Sequence, residues 1–141
     1  MIKSSLSLKT FLILSGLIGV AVGIAVLFFP VPFYAISGIE LGGNVSLLNE
    51  IRAPGGALIA TGTLILLGVF VARLTYGALV ISTVTYLAYG FSRLLSMAVD
   101  GLPTMDLIVV AFFEIVIGLC GVFVWAKYRP AEPAFRSVSA E

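Results

Sequence analysis

Five charged residues of this 141-residue chain lie within or beside long apolar stretches, where they are the side chains best placed to do chemistry. These residues are Glu50, Arg52, Arg93, Asp100 and Glu114. Glu114 lies deepest, because on an α-helix starting at Met105 it sits roughly 13 Å from the helix end. A lone carboxylate at that depth in a bilayer costs about 2.5–3.5 kcal/mol. We therefore expect Glu114 to be protonated, paired or hydrated.

Arg93 is the predicted partner of Glu114. Counted along their helices from one membrane surface, Glu114 lies about 20 Å up and Arg93 about 26 Å up, a difference that an arginine side chain can bridge. Glu50 and Arg52 are expected to cover this pair on the outer side, with Asp100 in the turn that follows the Arg93 helix. Glu50, Arg52, Arg93, Asp100 and Glu114 are called the polar cluster below.

Two interpretations of the polar cluster stay open at the level of sequence. It is either an ion-pair network that fixes which helix faces meet, or a small polar cavity, open to the outer side, that binds a ligand or relays protons. Catalysis is disfavoured, because there is no histidine, Cys120 is the only cysteine, and no nucleophile–base pair is apparent. Asp100, Asp106 and Glu50 lack the spacing of a cation-binding loop, so no metal site is predicted and no cofactor is indicated.

The composition predicts a membrane protein. The chain is 60% hydrophobic and 11% charged, whereas soluble domains have about 45–50% apolar and about 25% charged residues. A net charge of +1 gives no reason to expect a nucleic-acid partner. Four apolar segments, at about 11–29, 54–72, 74–94 and 105–126, are each long enough to cross a bilayer as a helix. We predict an all-α, four-helix transmembrane bundle, with the first segment an uncleaved helix.

The charges predict how this bundle is oriented. With an up-down-up-down order and both termini cytoplasmic, six basic residues lie inside and only Arg52 and Arg93 outside, as the positive-inside rule requires. The six inner residues are Lys3, Lys9, Arg73, Lys127, Arg129 and Arg136. Residues 1–129 then form one transmembrane domain, and residues 130–141 a disordered cytoplasmic tail. The outer loop, residues 30–53, is expected to contain one or two short helices along the membrane surface.

Small residues at a spacing of four, such as Ser15, Gly19 and Gly23, predict close helix packing. The packing glycines of the bundle are predicted to be Gly19, Gly23, Gly55, Gly56, Gly118 and Gly121. Packing within the chain is the favoured interpretation, and the alternative is a homodimer through the exposed side of the first helix.

Three sequence elements carry a family resemblance. They are a Glu-x-Arg-x-x-Gly-Gly pattern at residues 50–56, an Arg followed by Asp-Gly-x-Pro at residues 93–103, and Glu114. Together they resemble a bacterial family of small four-helix membrane proteins catalogued as domain of unknown function four-three-four-five, over roughly residues 11–126. The resemblance implies a four-helix membrane bundle and no activity. It carries over a polar signature of Glu50, Arg52, Gly55, Gly56, Arg93, Asp100, Gly101 and Glu114.

The leading hypothesis is therefore a multi-pass protein of the bacterial inner membrane without enzymatic activity. It would act as an accessory protein or bind a small or lipidic ligand at the polar cluster. Its partners would be membrane lipid, and a second copy or another membrane protein. One alternative is a small proton-coupled transporter that works as an oligomer. The other is a subunit of a membrane enzyme that handles lipid or quinone.

Overall fold

The computed structural model describes residues 6–128, which contain five helices. Four of them are long and apolar enough to cross a membrane: α1 (Leu6–Phe28), α3 (Val45–Phe70), α4 (Thr75–Asp100) and α5 (Met105–Lys127). The fifth, α2 (Pro30–Ala35), is a short helix after α1. The prediction of an all-α chain with four membrane-length helices is confirmed. Lys3, Arg129, Arg136 and the predicted tail at residues 130–141 lie outside the described residues.

Helix α3 starts at Val45, nine residues before the predicted start at Pro54. Asn44 causes the early start, because its side-chain oxygen accepts a hydrogen bond from the backbone N–H of Leu47 at 3.1 Å. Pro54, where the predicted segment began, lies inside α3. A proline within a membrane helix is tolerated where neighbouring groups satisfy the freed backbone. Glu50 and Arg52 consequently lie on the helix itself and not ahead of it.

Replacing Asn44 by alanine is expected to destabilise the protein by about 1 kcal/mol, because the first turn of α3 loses its cap. The change is measured as a shift in the free energy of unfolding in detergent. Asn49→Ala is the matched control, since Asn49 is exposed, lies five residues further along the same helix and caps nothing. Equal effects of the two substitutions would contradict the capping role of Asn44.

The connections also differ in part from expectation. Helix α4 continues to Asp100, beyond the predicted end at residue 94, and stops at Gly101, whose φ of 97° favours glycine. The turn between α3 and α4 is short, as the single residue between the predicted segments 54–72 and 74–94 indicates, and the Thr75 hydroxyl donates to the carbonyl of Gly68 across it at 2.8 Å. Within residues 30–53, α2 is the short helix that was expected, and residues 45–53 belong to α3.

Glycines let α1 and α3 pack backbone to backbone. A Cβ atom on Gly62 would lie 2.8 Å from both the Gly16 carbonyl oxygen and the Val20 nitrogen, and one on Gly23 would lie 2.8 Å from the Gly55 oxygen. These pairs run in opposite order along the two helices. The small residues of α1 therefore pack within the chain, against α3.

Helices α4 and α5 form the second close pair. A Cβ atom on Gly118 would lie 3.1 Å from the Leu87 nitrogen, and one on Gly121 would collide with the Thr83 hydroxyl. Gly56 differs from the other predicted packing glycines, because its missing Cβ would meet nothing within 4 Å. Gly56 lies on the side of α3 that faces away from α1, so within the described residues it is not a packing glycine.

The main buried core lies at the end of the bundle where α1 and α4 begin and where α3 and α5 end. Leu8, Leu12, Ile65 and Leu79 are almost completely buried there. Most other large apolar side chains of the four long helices face outward, among them Ile18, Leu64, Val84, Phe112 and Phe123. A continuous apolar exterior of this kind suits lipid rather than water.

Candidate functional site

Arg93 of α4 and Glu114 of α5 form an ion pair, as predicted. The Arg93 Nε atom donates to Glu114 Oε2 at 2.8 Å, and the side chains are 33% and 15% exposed, respectively. Gly90 holds the two helices close at this level, because a Cβ atom there would lie 3.1 Å from the Ile115 nitrogen. The spacing of Gly90 and Arg93 places both residues on the side of α4 that faces α5.

Two tyrosines on α4 extend this polar region. Tyr86 and Tyr89 lie seven and four residues before Arg93, and both are within electrostatic range of Glu114. Tyr34 of α2 is within electrostatic range of Tyr89. The buried Tyr86 hydroxyl donates to the carbonyl of Ser15 in α1 at 2.6 Å. Arg93, Tyr86 and Tyr89, the polar groups near Glu114 named here, thus come from one helix, α4.

A groove opens beside the ion pair at the α4–α5 connection. Its volume is about 310 Å³, and its lining includes Arg93, Ser96, Met97, Asp100, Leu102 and Leu107. The Ser96 hydroxyl donates to Asp100 Oδ2 at 3.0 Å, so the Asp100 carboxylate is held at this groove. We call this space the Arg93 groove. It brings together Arg93 and Asp100 of the polar cluster, and Glu114 is linked to it through the ion pair with Arg93.

Arg52 and Glu50 are placed elsewhere. The Arg52 Nη1 atom donates to the carbonyl of Leu27 in the last turn of α1, where a cation complements the helix dipole. Glu50 is exposed and makes no hydrogen bond or ion pair within residues 6–128. Helix α3 packs against α1 and has no close contact with α5 in the described part of the chain. These two residues therefore do not cover the Arg93–Glu114 pair.

Tyr86 and Tyr89 were not among the predicted site residues. Their spacing of seven and four residues from Arg93, which places all three on one helix face, was the available signal. Ser96 had a weaker signal, since it lies four residues before Asp100. No sequence signal pointed to Tyr34, because it belongs to the connection between the first two membrane-length helices.

The chemistry available at the Arg93 groove is that of binding. It offers a guanidinium group, a carboxylate and a hydroxyl beside apolar side chains. Across residues 6–128, no three His, Cys, Asp or Glu side chains lie close enough together to hold a metal ion. Asp100, Asp106 and Glu50 do not converge on a cation site.

The comparisons with known proteins identify one family. A family model described as Domain of unknown function (DUF4345) matches residues 7–126. No curated protein and no solved structure matches the chain.

Proposed function

We propose, since the chain belongs to the family described as Domain of unknown function (DUF4345), that it is a membrane protein without enzymatic activity that binds a small or lipidic ligand at the Arg93 groove. The family description gives no activity, so the proposal rests on the chemistry and geometry of the groove itself. It follows the leading hypothesis from the sequence, with the Arg93 groove as the binding site.

The proposed setting is the bacterial inner membrane, with the helices up-down-up-down and both termini cytoplasmic. The charge distribution supports this orientation. Lys9, Arg73 and Lys127 lie at the end of the bundle where α1 begins. The opposite end carries Arg52 and Arg93 together with most of the carboxylates: Glu40, Glu50, Asp100 and Asp106. By the positive-inside rule, the first end would lie in the cytoplasm, and the Arg93 groove would then open toward the outer side.

The unused hydrogen-bonding capacity of Arg93 is the observation that carries the proposal. A guanidinium group has five N–H donors, and Arg93 gives one of them, on Nε, to Glu114. Within residues 6–128 no acceptor pairs with its Nη groups, and the side chain lines the groove. A ligand with an acceptor oxygen can therefore bind Arg93 without breaking the ion pair.

The other residues that line the Arg93 groove limit the chemical nature of the ligand further. Asp100 supplies a carboxylate that can accept a hydrogen bond from the ligand, and Met97, Leu102 and Leu107 supply apolar contacts. A volume of about 310 Å³ is at the lower end for small-molecule sites, which span about 300–1,000 Å³. The groove thus suits a small molecule, or a lipid head group whose tail remains in the bilayer. The bound group carries both an acceptor and a donor beside an apolar portion.

Replacing Leu107 by tryptophan is expected to weaken ligand retention strongly, because the larger side chain narrows the groove while leaving Arg93, Asp100 and Glu114 unchanged. Native mass spectrometry of gently extracted protein measures the result as loss of a bound mass that the unaltered protein carries. We expect at least a tenfold fall in the liganded fraction.

Val109→Trp is the control for this substitution. Val109 lies two residues further along α5, is exposed and does not line the groove. This variant should keep the bound mass. If Leu107→Trp keeps it too, or if the unaltered protein carries no ligand, the binding proposal is wrong.

A proton-coupled transporter is the second candidate, favoured by the surroundings of Glu114. Its side chain is only 15% exposed and lies within electrostatic range of Tyr86 and Tyr89, an arrangement that could pass a proton. This alternative requires pH-dependent flux across liposomes containing the protein, lost in Glu114→Gln with the fold retained. The binding proposal requires no flux in either protein.

A further inference from the structure

A second groove lies between α1 and α5, far from the Arg93 groove. Its volume is about 900 Å³, and its walls include Phe11 and Leu14 of α1 and Leu119, Cys120 and Phe123 of α5. It exists because α1 packs mainly against α3, and α5 mainly against α4, so α1 and α5 meet only lightly. This space, called the α1–α5 groove, is almost entirely apolar along its length.

One end of the α1–α5 groove is polar and basic. Leu119, Phe123 and Lys127 are spaced by four, so Lys127 extends the α5 wall of the groove by one turn. Its Nζ atom lies 5.6 Å from the centre of the Tyr128 ring. Ser7 and Thr10 line the groove at the same end, where the Ser7 and Tyr128 hydroxyls hydrogen-bond at 3.1 Å. The groove therefore has a long apolar part and, at one end, a small basic region that carries hydroxyl groups.

No carboxylate of the described residues neutralises Lys127. Arg93 and Glu114 form the one ion pair within residues 6–128. The described acidic residues, Glu40, Glu50, Asp100, Asp106 and Glu114, all lie toward the opposite end of the bundle or deep in α5. Lys127 is exposed and lies near the Tyr128 ring. An anion at this end of the groove would thus be attracted by Lys127 without competition from an acidic side chain of residues 6–128.

We propose that the α1–α5 groove binds one anionic phospholipid. An acyl chain would lie along Phe11, Leu14, Leu119 and Phe123, and the phosphate would lie at Lys127. The Thr10 hydroxyl is placed to donate to the phosphate oxygens. The groove is apolar along its length and has at one end a cation that pairs with no carboxylate of residues 6–128. A lipid has the same order, with an apolar chain and a charged head group.

A second copy of the chain fits the groove less well. The commonest pairing of identical chains is two-fold symmetric and brings the same surface patch of both chains together. Such a pairing through this groove would bring a second Lys127 toward the first, without a carboxylate of residues 6–128 between them. Like charges placed together oppose association. Charge complementarity therefore favours an anionic lipid over a second copy of the chain as the occupant of this groove.

Lipid retention tests this proposal in the full-length protein. The protein is incubated with an equal mixture of phosphatidylglycerol and phosphatidylcholine, and bound lipids are counted by native mass spectrometry. We expect one phosphatidylglycerol to be retained in preference to phosphatidylcholine. Lys127→Gln should lower that retention about fivefold, the effect of one basic residue near an anionic surface. Arg73→Gln is the control, because Arg73 is an exposed cation at the same end but outside the groove, and it should retain the lipid.

Cys120 provides a second readout, because it is exposed in the groove and is the only cysteine of the chain. Phosphatidylglycerol should slow the maleimide labelling of Cys120, and phosphatidylcholine should not. Equal labelling rates with the two lipids, or equal lipid retention by Lys127→Gln and the unaltered protein, would overturn the proposal. Rapid formation of a Cys120–Cys120 disulfide between chains in the presence of phosphatidylglycerol would overturn it in favour of a second copy.

The two proposed sites are separable in this experiment. Leu107→Trp narrows the Arg93 groove and should leave phosphatidylglycerol retention unchanged. Cys120→Trp obstructs the middle of the α1–α5 groove and should weaken binding of that lipid while keeping the ligand of the Arg93 groove. Failure of one proposal therefore leaves the other standing.

Discussion

Gly62→Ala is expected to lower the free energy of unfolding by about 3 kcal/mol, because the added methyl group overpacks the contact between α1 and α3. The new Cβ would lie 2.8 Å from the Gly16 oxygen and 2.8 Å from the Val20 nitrogen. Both are backbone atoms, so no side-chain rotation can relieve the collision. The two helices must move apart, which weakens the contacts around Gly23 and Gly55 as well.

Gly56→Ala is the matched control for this result. The substitution is chemically the same and lies in the same helix, but a Cβ at Gly56 meets nothing within 4 Å. Alanine is a better helix former than glycine, so this variant should be neutral or more stable by up to about 1 kcal/mol. Unfolding titrations with a denaturing detergent would measure both values. Similar losses in the two variants would contradict the packing of α1 against α3 through Gly62.

Arg93→Gln is expected to destabilise the protein by about 2–3 kcal/mol, because it leaves the Glu114 carboxylate without its partner. Removing one member of a fully buried ion pair costs about 3–5 kcal/mol. Arg93 is one-third exposed, so the effect should fall below that range. The loss is measured in the same detergent titrations.

A double-mutant cycle separates the ion pair from other effects of the Arg93 substitution. Arg93→Gln combined with Glu114→Gln should recover most of the stability, because two neutral amides can hydrogen-bond and neither leaves a charge behind. Exchanging the residues, as Arg93→Glu with Glu114→Arg, should recover part of it. If the losses from the two single substitutions simply add, then Arg93 and Glu114 do not interact.

The Arg93–Glu114 pair could be predicted from sequence because it depends on helical geometry alone. Once two segments are assigned as membrane helices, counting the rise per residue gives the depth of each charge. A carboxylate at the depth of Glu114 needs a partner, and Arg93 was the basic residue at a matching height. Membrane helices are unusually predictable in this respect, because apolar length and the cost of buried charge constrain them together.

The position of Arg52 shows where this reasoning fails. Its depth was also available from the sequence, but its partner depends on which helices are neighbours. Helix α3 packs against α1, so Arg52 reaches the Leu27 carbonyl and not Glu114. The start of α3 was predicted wrongly for a local reason. Asn44 caps a helix that begins at Val45, whereas the prediction took Pro54 as its start. Gly55 and Gly56 are adjacent glycines that the sequence does not distinguish. A Cβ added to Gly55 would meet the α1 backbone, whereas one added to Gly56 would meet nothing within 4 Å.

The uneven distribution of buried side chains has a mechanical consequence for the bundle. Leu8, Leu12, Ile65 and Leu79 hold the helices together at one end, whereas within residues 6–128 no comparable buried apolar cluster surrounds Arg93. Motions that part the α1–α3 pair from the α4–α5 pair will therefore pivot about the clamped end. Such hinging separates the two helix pairs first at the end farther from this core, while Arg93 and Glu114, which belong to the same helix pair, stay together.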